Sequence, residues 1–244
     1  MRIERHGEVA VLRLESGKVN AIGSAFLEGL NALLDGLGDA KAAVVVGRGN
    51  AFSAGLDLHD LVDLDRASMR SFIAKFDATM LRLWELPIPL VAAVNGHAIA
   101  GGCVLALQAD LRLAADKDAR IGLNETQLGI GLPAVVLETL RAQVPPSSLA
   151  AIALEGRLFS PREALQLGLL HEVVPEAELF ERALARAQSL AALWPAGVRQ
   201  VKSALRAPVA ARIREIDATQ SEKWVESWLS AEPILRSTVA RLKK

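Results

Sequence analysis

Tyrosine is missing altogether from these 244 residues, and aromatic residues make up only 4% of them. No phenol is therefore on hand to act as an acid or to donate to an oxyanion. Cysteine occurs once, at Cys103, which rules out an intrachain disulfide and a thiolate metal cluster and suits a reducing cytoplasm. There is no excess of either charge, since 28 basic side chains balance 28 acidic ones. A nucleic-acid partner, which usually calls for a basic surplus, is thereby disfavoured. No apolar run is long enough to span a bilayer, and the opening MRIERHGEVAVLRL has charges where a secretory leader would be apolar. We expect neither a signal peptide nor a membrane partner. A Gly-Lys-Ser/Thr phosphate loop is absent, and Gly47-Arg48-Gly49 lacks the third glycine of a dinucleotide fingerprint.

What is present is a soluble globular composition, 51% apolar and 23% charged, in a chain long enough for one substantial core. Short apolar runs alternate with helical patterns up to about residue 175. Glu8–Leu14, Ala42–Val46, Leu90–Val94, Leu111–Ala115, Arg120–Leu123 and Glu172–Val174 read as strands. Helices are expected from Ser24 (a candidate N-cap) to Leu37, over Arg66–Leu86, from Cys103 to Ala109, and over Leu132–Gln143, Ser147–Glu155 and Pro161–Leu167. After Pro175 nearly everything reads as helix. The pattern predicts an α/β core over 1–195 and a helical region over 196–244, punctuated by Pro208 and Pro233. Apolar positions of that region, such as Ile213, Trp224, Trp228 and Leu235, need a partner surface on the same chain or on a neighbour.

Two small-residue loops stand out. Phe52-Ser53-Ala54-Gly55-Leu56-Asp57 and Ala98-Ile99-Ala100-Gly101-Gly102 each follow an apolar strand and precede a helix. One backbone N–H from each can converge on a single oxygen and form an oxyanion hole without side chains, where each donor is worth about 2.7–4 kcal/mol in the transition state. A side chain at Gly101 or Gly102 is expected to block the approach of a ligand. On periodicity alone, tight turns packed by small residues are the simpler reading. Other candidates are weaker still. Cys103 has no histidine at a recognisable spacing, and Asp57, His59, Asp60 and Asp63 match no standard ligand pattern, so no metal site is expected. His97 reads as a pocket residue or a structural histidine.

Taken together, GKVNA (Gly17–Ala21), FSAGLDL (Phe52–Leu58), PLVAAVNGHAIAGG (Pro89–Gly102) and ALQLGLLHEVVP (Ala164–Pro175) resemble the crotonase superfamily, the enoyl-CoA hydratase/isomerase family, in order and spacing over nearly the whole chain. The resemblance implies a spiral of ββα repeats with a C-terminal helical region that packs in a homotrimer or a dimer of trimers. It implies an acyl-CoA thioester substrate, with coenzyme A entering as part of that substrate and no further cofactor. The N–H groups of Leu56 and Gly101 would hold the thioester oxygen, aided by the positive end of the helix starting near Gly102. Lys18, Val19, Ala21, Ser53, Ala54, Gly55, Asp57 and Gly102 would border the substrate, although Asp57 by itself reads as structural. Lys18 is the basic side chain expected first near the coenzyme A phosphates, with Lys223 or another C-terminal lysine or arginine reaching a neighbour's ligand in a trimer.

The family's hydratases place two glutamates around a water. Here the first position is Val104, and the second is Glu125 in GLNETQLGI. Valine can neither activate water nor deliver a proton. The Gly122–Ile130 stretch is similar to that of Δ3,Δ2-enoyl-CoA isomerases, whose matching glutamate is the sole base. The resemblance thus implies a cytoplasmic isomerase of fatty acid β-oxidation with Glu125 as base, and leaves hydration, thioester hydrolysis and simple acyl-CoA binding as alternatives. Taken alone, Asn124-Glu125 reads as a helix cap followed by a first-turn carboxylate.

Overall fold

The computed structural model describes residues 1–242. Four ββα units succeed one another. The first is β1 (Arg2–His6), β2 (Val9–Arg13) and α1 (Ser24–Asp35). The second is β3 (Ala42–Val46), β4 (Ala51–Ser53), a one-turn α2 (Leu58–Leu61) and α3 (Arg66–Trp84). The third is β5 (Leu90–Val94), β6 (His97–Ile99) and α4 (Gly101–Leu107). The fourth is β7 (Leu111–Asp116), β8 (Ile121–Gly122), a 3-10 turn at Glu125–Leu128 and α5 (Ala134–Gln143). Then come α6 (Pro161–Gln166), β9 (Glu172–Pro175), α7 (Leu179–Ala191), α8 (Pro195–Ser230) and α9 (Glu232–Leu242).

The first strand of each later unit joins a six-stranded sheet of order β1-β2-β3-β5-β7-β9, parallel except for the β1–β2 hairpin. The second strand joins a small parallel sheet, β4-β6-β8. The spiral of ββα repeats is therefore present. The large sheet is covered on both faces, which is why its strands read as unbroken apolar runs. Val44, Val46, Val91, Ala93 and Leu113 pack towards α7, whereas Ala43, Val45, Ala92, Val94 and Ala114 face the interior of the spiral.

Several elements depart from the sequence expectation. β1 was not expected because Arg2, Glu4 and Arg5 hide its pattern; it is an edge strand whose charges pair laterally, with Arg13 Nε 3.0 Å from Glu4 Oε2. β4 and β6 lie inside stretches read as loops, since three residues are too few for periodicity to show. Gly23, not Ser24, is the N-cap of α1, and no side chain caps it. Ser147–Glu155 is a 3-10 turn followed by a single π turn rather than one helix. α8 runs through Pro208 unbroken. Anchors on either side hold it: Arg206 and Ala210 are buried, and tertiary packing outweighs the lost backbone hydrogen bond.

Much of that anchoring is ionic. Asp110, just before β7, receives Lys202 Nζ at 2.7 Å and Arg206 Nη2 at 2.6 Å, and the Arg206 guanidinium lies 3.7 Å from the centre of the Trp84 ring. Breaking such a buried cluster from one side typically costs about 3–5 kcal/mol. Further along, α8 packs on α3 and α5, and Ile213, Trp224, Trp228 and Leu235 are buried within their own chain.

Candidate active site

Three loops are stitched together at the open ends of the small sheet. Residues 17–23 bind residues 52–57 through Ala54 N–H to Val19 O (3.0 Å), Ile22 N–H to Gly55 O (2.8 Å) and Asp57 N–H to Ile22 O (3.0 Å). Asn20 clamps the join. Its Nδ2 donates to Phe52 O at 3.0 Å, and its carbonyl accepts from Ser53 Oγ at 2.7 Å. Asn20 adopts φ 51°, a conformation asparagine tolerates better than most residues. Asn20 lies between the residues that the resemblance places at the substrate and is not itself among them; its signal in the sequence is a lone asparagine in a glycine-containing loop.

Gly55 brings this loop against the next one. It has φ +89°, and a Cβ there would lie 2.7 Å from Ile99 O and 3.2 Å from Gly101 N. Ala100 also takes a positive φ of 50°, rare for a residue with a side chain, and is held by its N–H to Gly122 O (2.8 Å). Leu56 and Gly101 consequently line one cavity side by side, and among the described residues neither N–H donates to another group of the chain. Gly102 plays a different part from the one expected. A Cβ on it would fall 2.1 Å from Ser53 O, so it makes room for β4 rather than for a ligand. A Cβ on Gly101 would likewise meet Ile22 and Leu56 side chains, at 3.2 and 3.5 Å.

The cavity holds about 170 Å³ of water-accessible space. Glu125 enters it from the 3-10 turn after β8, and is the one charged side chain of the lining among the described residues. It is only 9% exposed, and its Oε2 meets no hydrogen-bond partner. Burial among Val104, Leu128 and Ile130 pushes its carboxyl up to about 7, opposed only by its own backbone N–H. Val104 sits across the lining with nothing to ionise. Asn124, read as a cap, makes no capping bond; its Oδ1 is also buried and unpartnered.

The remaining expected residues divide clearly. Ala54 lines the cavity, while Lys18, Val19 and Ala21 lie on the loop bonded to it, outside the lining, with Lys18 and Val19 exposed. Ser53 is sealed in the interior, its hydroxyl engaged by Asn20 O and Gly55 N, so it shapes the loop and has no free face for a substrate. Asp57 accepts from His59 N at 3.1 Å and caps α2, a structural role. His97 accepts the Arg120 N–H at 3.1 Å. Cys103 is buried, and burial pushes its thiol up to about 12, which leaves no thiolate for nucleophilic attack. Lys223 is exposed on α8. Unexpected contributors to the cavity are Trp224, Trp228 and Thr238, from the last two helices of the same chain.

A spiral of ββα repeats that holds two backbone loops beside one buried carboxylate is the crotonase architecture. The family model for enoyl-CoA hydratase/isomerase matches residues 4–235. Human mitochondrial enoyl-CoA delta isomerase 1 is 34% identical over 228 residues, which are 91% of this chain and 74% of that protein. The 2,3-dehydroadipyl-CoA hydratase of Escherichia coli K12 is 34% identical over 212 residues, 84% of this chain and 80% of that one. Among solved structures, human mitochondrial delta3-delta2-enoyl-CoA isomerase superposes with a TM-score of 0.93 at 31% identity, covering 99% of this chain and 97% of that chain. The chain belongs to the enoyl-CoA hydratase/isomerase family of enzymes.

Proposed function

We propose that the protein is a Δ3,Δ2-enoyl-CoA isomerase acting in the β-oxidation of unsaturated acyl chains. The observation that carries this reading is the solitary carboxylate: Glu125 is unpaired, buried and raised to about 7, and Val104 faces the same cavity where a second acid would be needed for hydration. In the proposed reaction Glu125 removes a proton from the α-carbon of a 3-enoyl thioester. The C–H electron pair forms the new 2,3 double bond by way of a dienolate, whose negative charge collects on the thioester oxygen. The N–H groups of Leu56 and Gly101 hold that oxygen. The dienolate then takes the same proton back from Glu125 at the γ-carbon, and the double bond ends in conjugation with the carbonyl. Nothing is gained or lost overall, so one base suffices. A carboxyl near 7 suits a group that must both accept and return a proton at neutral pH.

Lys18 and Lys223 are the side chains we assign to the coenzyme A phosphates, and coenzyme A enters only with the substrate. The reading includes a cytoplasmic enzyme assembled as a homotrimer or a dimer of trimers. Exposed apolar side chains on and just before the first half of α8, with Trp194 82% and Leu205 71% exposed, support the assembly. Among the described residues no helix is long and apolar enough to cross a membrane.

The test is ultraviolet absorbance of the protein mixed with a 3-enoyl-CoA, because conjugation with the thioester creates a new band. We expect the band to grow, and Glu125→Gln to slow its growth by about 10²–10⁴-fold with the fold intact by circular dichroism. Undiminished conversion by Glu125→Gln, or no conversion by a protein that binds the ester, sinks the isomerase reading.

A further inference from the structure

The chain's own C-terminal helices form part of the wall of the cavity that Glu125 enters. Trp224 and Trp228, one turn apart on α8, lie with ring centres 5.3 Å apart and ring planes tilted by 31°, and both are buried. Ile73 and Phe76 of α3, the helix on which α8 packs, line the same cavity. Thr238 of α9 adds the last polar group there, and its hydroxyl already donates to Ile234 O at 3.0 Å. Among the described residues no lysine, arginine or histidine lines this space. It therefore offers an acyl tail dispersion and desolvation, and it offers a charged tail nothing. The size is limited as well. The 170 Å³ of open space is close to the ~150 Å³ apolar cavity that holds one benzene, which puts its capacity near six carbon atoms.

We infer that the Trp224–Trp228 pair closes the acyl subsite, so that this enzyme selects unsubstituted aliphatic acyl-CoA esters of about six to eight carbons. The inference rests on the acyl-CoA reading of the site, and it assigns the specificity to side chains that the expected motifs do not include. Each methylene that enters an apolar pocket tightens binding by about fourfold. A methylene that meets the indoles gains nothing, or forces them aside at a loss.

Calorimetric titration of saturated butanoyl-, hexanoyl-, octanoyl-, decanoyl- and dodecanoyl-CoA tests this without turnover, since a saturated chain has no double bond to move. Affinity is expected to climb up to octanoyl-CoA and then stop, with dodecanoyl-CoA binding no tighter. In Trp228→Ala the climb continues, and dodecanoyl-CoA binds at least tenfold tighter than to the parent protein. Trp228→Phe, which keeps an aromatic ring in the wall should the alanine variant fail to fold, moves the break to decanoyl-CoA. Adipyl-CoA, with the six carbons of hexanoyl-CoA but a terminal carboxylate, binds at least a hundredfold more weakly than hexanoyl-CoA. A smooth rise through dodecanoyl-CoA in the parent protein, a break unmoved in whichever of the two variants folds, or adipyl-CoA equal to hexanoyl-CoA overturns the inference. A length break without conversion of any 3-enoyl-CoA leaves the subsite standing and removes the isomerase; conversion without a break does the reverse. No binding of any ester removes both.

Discussion

Glu125 answers to two opposed demands. The proposed reaction requires it charged when substrate arrives, and its apolar surroundings favour it neutral. With the folded-state carboxyl at about 7 against an ordinary 4.5, the stability it contributes is full below pH 4.5 and is lost as pH rises through 7. Two consequences can be measured on one variant pair. Isomerisation at low substrate should rise about tenfold per pH unit up to roughly 7 and then level off, because only the ionised form takes the proton. Glu125→Gln should be more stable than the parent at pH 8, by up to about 3 kcal/mol in denaturant unfolding, and equal to it at pH 4. A rate limb centred near 4.5, or a glutamine variant no more stable at pH 8, would show that burial does not govern this carboxyl. Arg112 shows the complementary case. It is fully buried on β7, and burial lowers it to about 10, but it stays useful as a donor hub by reaching the carbonyls of Ala109, Gly168 and Leu169 and the Gln143 side chain.

Among elements, the decisive contact is between two loops and not between two regular structures. β4 and β6 pair for only a few residues, yet they set the 52–57 and 97–102 loops edge to edge, and Gly55 is the point of closest approach. Gly55→Ala should therefore do more than strain one positive φ. Its methyl group must push Ile99 O and the Gly101 amide away, which separates the two N–H groups assigned to the oxyanion. We expect a loss of about 2.7–4 kcal/mol of transition-state stabilisation, read as a 10²–10³-fold fall in kcat with Glu125 still titrating at its parent value. Full activity in Gly55→Ala would mean that the loops do not act as a pair. Glu125 is held with comparable firmness by its turn: Ile130 N–H binds Glu125 O at 2.9 Å, and Gly129 reverses the chain in a left-handed conformation.

At the scale of the molecule, α8 does two jobs with its two halves. Its second half closes the cavity of its own chain through Trp224 and Trp228, and its first half is tied to the sheet by the Asp110 cluster while leaving Val201 and Leu205 in solvent around a groove shared with Leu193. Contiguous exposed apolar side chains of this kind mark an association surface. Light scattering should therefore find three or six copies of the 26.0 kDa chain per particle, and Trp194→Glu with Leu205→Glu should lower that number. A parent protein that runs as a monomer at micromolar concentration would remove the trimer from the proposal.

Much of this was legible in the letters. Ala42–Val46 and Leu90–Val94 announce themselves because a strand buried on both faces needs apolar residues throughout, and the small-residue loops of the second and third units are conspicuous for their glycines and alanines. Glu125 was legible only because its neighbours form a recognisable run; as Asn-Glu-Thr alone it reads as a cap. Other features had no local signature. β4 and β6 are too short to have a period, β1 hides among its charges, and the continuity of α8 through Pro208 depends on anchors distant in sequence. The close packing of Gly102 on Ser53 has no signature in the letters, because a glycine's need for space depends on which backbone lies opposite, here β4. By itself, then, the sequence determined the strand–helix alternation, the two loops and the identity of the lone carboxylate, all properties of neighbouring residues. Only the tertiary structure decided that Glu125 is desolvated to near neutrality, that two amides lie unpartnered beside it, and that two tryptophans about a hundred residues away in the chain close the same cavity. Desolvation, orphaned donors and cavity walls are relations between segments remote in sequence, and they come into being only when the spiral closes.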